Sequence, residues 1–432
     1  MAKISNRFIL LLLLACSQIS AQQVKKAVTG TFLLKNATIH TVTKGIVVGD
    51  LLMRDGRIAE VGENLPNAVD ATVVDCTGKH LYPGMIDGGS RLGLVEIDAV
   101  SLTNDFNEIG DFVPHMKALT AVNPNAVAIP VTRVNGVTTV FAKPDGGTFP
   151  GTGALIDLFG YSPEQMSCGA EFVVMRFPST GRRGRWDRRT EEEQKKDAEK
   201  ALQNINEIWE QARAYSRIDS AAAAEKSTYL TNQPQMDALL PVVRGKKSLF
   251  IEVNALQDIE KALEWVEKNK IKAVFMGVAE GWRAADKLAK AGIPVITGPV
   301  LNTPRRENDR YDAAYTNAGK MSKAGVKVAI RTDNAENTRN LPFHAAFAAA
   351  YGLGKEEALK GVTLYPAEIF GVAADYGSIE KGKIANILVT SGDPFETKTR
   401  IEMLFIRGWN VPTESRQTLL YDEFLQRTPG IK

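Results

Sequence analysis

The chain is poor in side chains suited to metal or nucleophilic chemistry: four histidines (His40, His80, His115, His344) and three cysteines (Cys16, Cys76, Cys168) in 432 residues. Zinc is usually held by imidazoles and thiolates supplied in short-spaced groups. No two histidines stand at metal-ligand spacing, so each is read as a surface or internally satisfied residue. His115, in a long loop, and His344, at the start of a helix, are the two candidates for substrate contact. Cys76 and Cys168 read as separate buried thiols rather than a disulfide. Arg182, Arg183, Arg185, Arg188 and Arg189 crowd around Trp186. They form either a solvated face paired with Glu191, Glu192 and Glu193 or a bidentate site for an anion. Gly146, Gly147, Gly151 and Gly153 read as a mobile loop beside a site or, as the alternative, an anion cradle.

These residues must be positioned by a chain of ordinary globular composition, 44% hydrophobic and 24% charged, which excludes fibrous and globally disordered classes. A net charge of +3, from 53 basic and 50 acidic residues, gives no reason to expect nucleic acid as partner. Residues 31–74 read as short β runs broken by turns, with Asp55-Gly56 as a hairpin signal. From Pro83 onward strand-like runs at 138–141, 172–175, 249–253, 273–276, 294–297 and 326–330 alternate with helical segments. One helix is marked by Ile259, Ala262, Leu263 and Val266 at spacings of three and four. This alternation predicts an α/β fold, a TIM-like (β/α)8 barrel, with β character returning at 384–389 and 401–406. The expected organisation is a β unit over 24–80, a barrel over 81–375 and a β unit completed by 376–432. Residues 179–234 break the rhythm and read as a helical insertion with an apolar face through Ala198, Leu202, Ile205, Ile208 or Trp209, Ala212 and Tyr215.

The first 21 residues read as an export signal: Lys3 and Arg7, an apolar run over 8–15, then small residues. Two cleavage readings stay open. Cys16 in Leu-Leu-Ala-Cys fits a lipoprotein box that would carry a lipid anchor, whereas Ile19-Ser20-Ala21 fits an ordinary cleavage site. Either predicts an exported protein, periplasmic or associated with the outer membrane.

The phrase Leu81-Tyr82-Pro83-Gly84-Met85-Ile86-Asp87 resembles the lead-in to the first barrel strand of the amidohydrolase superfamily. Asn36-Ala37-Thr38-Ile39, Asp55-Gly56-Arg57-Ile58 and Gly377 through Asn386 resemble its composite β-sandwich, built from both chain ends. Thr363 through Gly371 resembles the helix after the barrel, and Gly136 through Val140 a barrel strand. Leu92 through Ile97, with Asn107-Glu108, is similar to the exported imidazolonepropionase-like members. The resemblance implies hydrolysis of C–N bonds in amides, cyclic amides or dipeptides by one or two divalent metals, typically zinc. It further implies ligands from a His-x-His pair after strand one, histidines after strands five and six, and an aspartate after strand eight. Matched position by position, that pair becomes Gly89 and Arg91, the strand-five histidine becomes Asn254, the strand-six position falls at Gly277, and only the aspartate, Asp333, is retained. Glycine offers no ligand, arginine never deprotonates, and a neutral amide is a poor zinc donor. No bound metal or other cofactor is therefore expected.

Asp333 is expected either to remain a general base or to pair with Arg91 where metal used to sit, the second being preferred. Asp87 is expected to support local geometry. The leading functional expectation is a metal-free, catalytically degenerate member serving as partner subunit of an active amidohydrolase paralogue or as binder of a small amide or peptide-like ligand. The alternative is a hydrolase with reorganised chemistry using Asp333 as base and Arg91 as polarising cation. A lesser alternative is an envelope binding protein whose arginine cluster meets an anionic surface. An oligomer is compatible with all three.

Overall fold

The structure is a computed structural model that describes residues 25–181, 188–225 and 232–427. The chain begins with five strands, β1 (Thr31–His40), β2 (Ile46–Arg54), β3 (Arg57–Gly62), β4 (Ala71–Asp75) and β5 (His80–Pro83). Eight further strands follow: β6 (Met85–Ser90), β7 (Val137–Ala142), β8 (Gly151–Asp157), β9 (Ser167–Arg176), β10 (Leu249–Val253), β11 (Ala273–Gly277), β12 (Val295–Thr297) and β13 (Val328–Ile330). The last three are β14 (Ile387–Thr390), β15 (Ile401–Ile406) and β16 (Trp409–Val411).

Both chain ends share one hydrogen-bonded sheet, ordered β16-β15-β14-β5-β1-β2-β3, with β4 also pairing to β1. Strand β1 serves two partners on one edge because its register shifts between Leu34 and Ala37, where Asn36 takes a positive φ of 60°. Below that bulge β1 pairs with β4, and above it with β5. Asp55 and Gly56 both have positive φ, 51° and 77°, as the expected β2–β3 hairpin requires. Phe32, Leu34, Leu51, Ile387 and Phe405 are buried together with Cys76, a free thiol.

Strands β6 to β13 are hydrogen-bonded in sequence order and form the barrel. Their two-residue periodicity sorts side chains into two cores. Ile251, Phe275, Val295, Val328 and Ile330 face outward into the layer of helices. Ile86, Phe141, Phe250, Val274, Ile296 and Ala329 face inward. The ring of Phe370, from the segment after the barrel, lies 4.9 Å from Phe141 and 5.5 Å from Phe250 and helps fill the interior. Among the helices packed outside are α1 (Glu191–Glu225), α2 (Pro234–Val243) and α3 (Leu256–Asn269). Helix α3 buries Ile259, Ala262 and Val266, as its spacing predicts. Helix α1 buries Ile205, Ile208, Trp209 and Ala212 in the same core and so forms part of the connection between β9 and β10. None of the described helices is long and apolar enough to cross a membrane.

One barrel strand departs from the expected alternation. Strand β8 runs antiparallel to both β7 and β9, and it begins at the glycines read above as a loop. Gly153 is required there because a Cβ would stand 2.4 Å from the Phe141 ring. That ring fills space that a larger residue would deny it. Asp157, at the end of β8, is fully buried and accepts hydrogen bonds from Thr139, Asn386, Tyr376 and Arg407. Arg407 also donates to the carbonyls of Gln165 and Ser167, so this cluster ties the barrel to the C-terminal strands.

Candidate functional site

Following the inward-facing positions one step toward the C-terminal end of each strand gives Gly88 after Ile86, Lys143 after Phe141, Glu252 after Phe250, Met276 after Val274, Gly298 after Ile296 and Arg331 after Ala329. The apolar interior thus gives way to a layer of charge at the end where barrel proteins carry their sites.

Arg331 donates through Nη1 and Nη2 to the two oxygens of Glu252, each at 2.6 Å. Its Nη2 also lies 3.3 Å from Asp333. The Lys143 ammonium stands 3.5 Å from Glu252 and 3.5 Å from Asp333. Arg331 and Lys143 are 1% and 3% exposed, Glu252 12% and Asp333 32%, so the cations lie deepest and Asp333 meets the cavity. Two positive and two negative groups balance, which is how buried charges are tolerated. Burial alone would push the Glu252 carboxyl up, but Arg331 and Lys143 outweigh it and hold it well below the usual range. Burial likewise opposes charge on Lys143, and Asp333 and Glu252 overcome it, keeping the amine protonated.

Neighbouring glycines make room for these cations. A Cβ on Gly89 would lie 3.0 Å from the Met276 methyl and 3.4 Å from Arg331 Cδ. On Gly298 it would lie 2.2 Å from the Arg331 carbonyl oxygen. Gly277 has φ of 80°, and a Cβ there would sit 2.4 Å from Asn254 Oδ1. Asn254 donates to Glu252 at 3.4 Å and accepts from the Ala279 amide.

Asp87, as expected, organises local geometry. It is fully buried and accepts from the Gly89 amide at 2.9 Å and the Thr332 hydroxyl at 2.6 Å. It thereby clamps β6 to the segment after β13. Asp333 completes the clamp, its amide donating to the Gly89 carbonyl at 3.0 Å. It does so at φ of 56°, a conformation aspartate tolerates better than most residues.

The expected Arg91–Asp333 pair is not formed. Arg91 follows the end of β6, where the chain turns away, and its guanidinium lies over the Phe106 ring, 4.6 Å from the centroid. Asp333 pairs instead with Lys143 and Arg331. His344 is buried and uses Nδ1 to accept the Val300 amide at 3.0 Å. His115 has a buried Nδ1 without a hydrogen-bond partner. Neither histidine lines the two cavities at the barrel mouth. His40 and His80 pair with each other at 3.0 Å in the sheet formed by the chain ends. Cys168 is a half-buried free thiol. Arg189 pairs with Asp197, whereas Arg182, Arg183, Arg185, Trp186 and Cys16, like residues 1–21, where an export signal is expected, lie outside the described residues.

The residue set does not fit a divalent metal. Gly89 and Gly277 have no donor, Arg91 points elsewhere, and the carboxylates that remain are engaged by Lys143 and Arg331. Among the described residues, no group of three or more His, Cys, Asp or Glu is placed to hold a metal ion. Lys143, Glu252 and Arg331 could have been found in the sequence, since each is a charged residue within or just after a strand-like run.

Two cavities open over this layer. One of about 320 Å³ is lined by Asn254, Trp282, Arg305, Arg331 and Asp333. The other, about 590 Å³, is lined by Gly146, Arg176, Glu252, Asn254 and Arg305. Residues 135–411 match the Amidohydrolase family, and the chain belongs to that family. Its structure is similar to an amidohydrolase from Thermotoga maritima MSB8, with 30% identity, a TM-score of 0.79 and coverage of 88% of this chain and 99% of that one. Among curated relatives, the amidohydrolase tasK of Hapsidospora irregularis is 21% identical over 388 residues, 84% of this chain and 39% of that protein. An imidazolonepropionase of Flavobacterium psychrophilum is 39% identical over 107 residues, 22% of this chain and 26% of that protein. The chain thus spans about two fifths or less of the length of the curated relatives it matches.

Proposed function

We propose that this amidohydrolase-family protein binds a small amide or peptide-like ligand at the barrel mouth without metal-assisted hydrolysis. In this reading it serves as an exported, degenerate partner of an active paralogue. The observation that carries it is the Lys143–Glu252–Arg331–Asp333 cluster, which seats two fixed cations among the site's carboxylates. A divalent cation placed there would meet both of these positive side chains at close range. Without a Lewis acid, several kcal/mol of transition-state stabilisation are missing, and about 1.4 kcal/mol corresponds to a factor of ten in rate.

The test is elemental analysis of protein purified without chelators and again after excess zinc, with amidase and dipeptidase turnover measured on the same samples. Metal near zero without turnover is expected. About one metal per chain, with activity following it, would overturn the reading.

A second reading is favoured by the partial exposure of Asp333 beside two cations. Asp333 would take a proton from water while Lys143 and Arg331 polarise a carbonyl, the part expected of Arg91 from its place in the sequence. Turnover that survives chelation and disappears in Asp333→Ala would select it.

A further inference from the structure

The carboxylates that line the two cavities are each already paired. In the larger cavity Asp111 already accepts from the Thr148 amide at 2.8 Å and its hydroxyl at 2.6 Å. Asp258 accepts from Ser179 and from the amide and hydroxyl of Thr180. Both Glu252 oxygens are taken by Arg331. In the smaller cavity Asp309 pairs with Arg283, and Asp333 with Lys143 and Arg331.

The donors are in the opposite state. Arg305 lines both cavities; among the described residues it makes no hydrogen bond or ion pair, and its electrostatic neighbour Glu280 is itself held by Arg306, so the N–H groups of its guanidinium stay open. Arg176, half exposed, donates to the Gly146 carbonyl at 3.1 Å and lies 3.4 Å from Asp145, with the rest of its donors free. Deeper in, Arg331 Nε is buried without a partner, and Lys143 has its two acceptors no closer than 3.5 Å. A concave surface whose carboxylates are each already paired and whose guanidiniums keep open donors complements a ligand rich in acceptors and carrying negative charge.

Building on the proposal that the barrel mouth binds an amide-like ligand, we infer that this ligand bears an anionic oxygen group, carboxylate or phosphate, received by Arg305 with Arg176 beside it. The planar fork of each guanidinium suits either group. Asn254, which lines both cavities, is placed to meet the uncharged part of the ligand.

The test is ligand-observed NMR and calorimetry on the purified full chain with a panel of N-acetyl dipeptides, each as free acid and as carboxamide, together with N-acylated phosphoethanolamines. Free acids or phosphates should bind at least tenfold more tightly than carboxamides. Arg305→Gln should erase that preference, Arg176→Gln should reduce it, and neither should alter the folded far-ultraviolet spectrum. Preference for acids alone or phosphates alone identifies the group. Equal binding of acids and carboxamides, or a preference that survives both substitutions, would overturn the inference while leaving the site intact. Binding of none of the panel, charged or capped, would count against the underlying binding reading as well.

Discussion

Arg331 and Glu252 meet as two parallel forks, each guanidinium nitrogen 2.6 Å from its own carboxylate oxygen, at the base of the barrel mouth. This is the strongest geometry available to an ion pair, and it sets one end of β13 against the end of β10 across the interior.

Removing one member should therefore be severe. Glu252→Gln leaves Arg331 and Lys143 with Asp333 as their remaining carboxylate in the cluster, and breaking a buried pair costs about 3–5 kcal/mol. Urea unfolding should show that loss, and the double replacement Glu252→Leu with Arg331→Met should recover part of it. A Glu252→Gln protein as stable as the parent would mean that the pair carries little of the site's order.

Restoring a single imidazole should not restore a metal site. Gly89→His must displace the Met276 methyl and the Arg331 stem, an overpacking that costs about 1–3 kcal/mol. The two cations remain, so zinc uptake should stay near zero by elemental analysis while the melting temperature falls. Stoichiometric zinc in this variant would contradict the charge argument.

Two buried groups give stability opposite pH slopes. Burial raises the Asp87 carboxyl to about 7, against the pull of hydrogen bonds from Thr332 and Gly89. The folded state then holds a proton that the unfolded state has released, so stability falls as pH rises from about 4 to about 7, by on the order of 4 kcal/mol. Burial lowers His344 to about 4, so its contribution is present above about 6.5 and is lost as pH falls toward 4. Unfolding free energies at pH 5 and pH 8 should show Asp87→Asn gaining relative to the parent at the higher pH. A difference between the two proteins that does not change with pH would refute the Asp87 assignment.

The Asp157 cluster should behave as a bolt between barrel and sheet. Arg407→Ala removes one charged partner but leaves Thr139, Tyr376 and Asn386 on the carboxylate, so the expected loss is about 2–3 kcal/mol. Hydrogen exchange should rise first in β15 and β16. Exchange that rises uniformly, or not at all, would place the coupling elsewhere.

Much of this architecture is legible in local sequence. Asp55-Gly56 specifies its turn through backbone preference alone, and β10, β11 and α3 announce themselves by apolar runs or helical spacing. Strand β8 is not legible, because Gly153 is dictated by a ring on another strand, Phe141, and Gly151 by the nearby Met116 carbonyl, and both resemble a loop when read alone. The choice of arginine fails for a related reason. Arg91 and Arg331 both follow barrel strands, but strand parity, counted from Ala329 inward, points Arg331 into the interior, whereas Arg91 lies past the last pleat of β6.

The reversed strand also bears on the order in which the molecule assembles. In a barrel of strand–helix repeats, neighbouring strands find each other only after a helix has been threaded between them. Here β7, β8 and β9 form a meander, and Thr139 reaches Asp157 over a separation of 18 residues, whereas the Asp87–Thr332 clamp closes over 245. Short loops close at lower entropic cost, so this meander should form before the barrel seam. Pulse-labelled hydrogen exchange during refolding should then protect amides of β7 and β8 ahead of the Thr332 amide. Lys143, at the turn of that hairpin, would be in position before its partners Glu252 and Asp333 reach it.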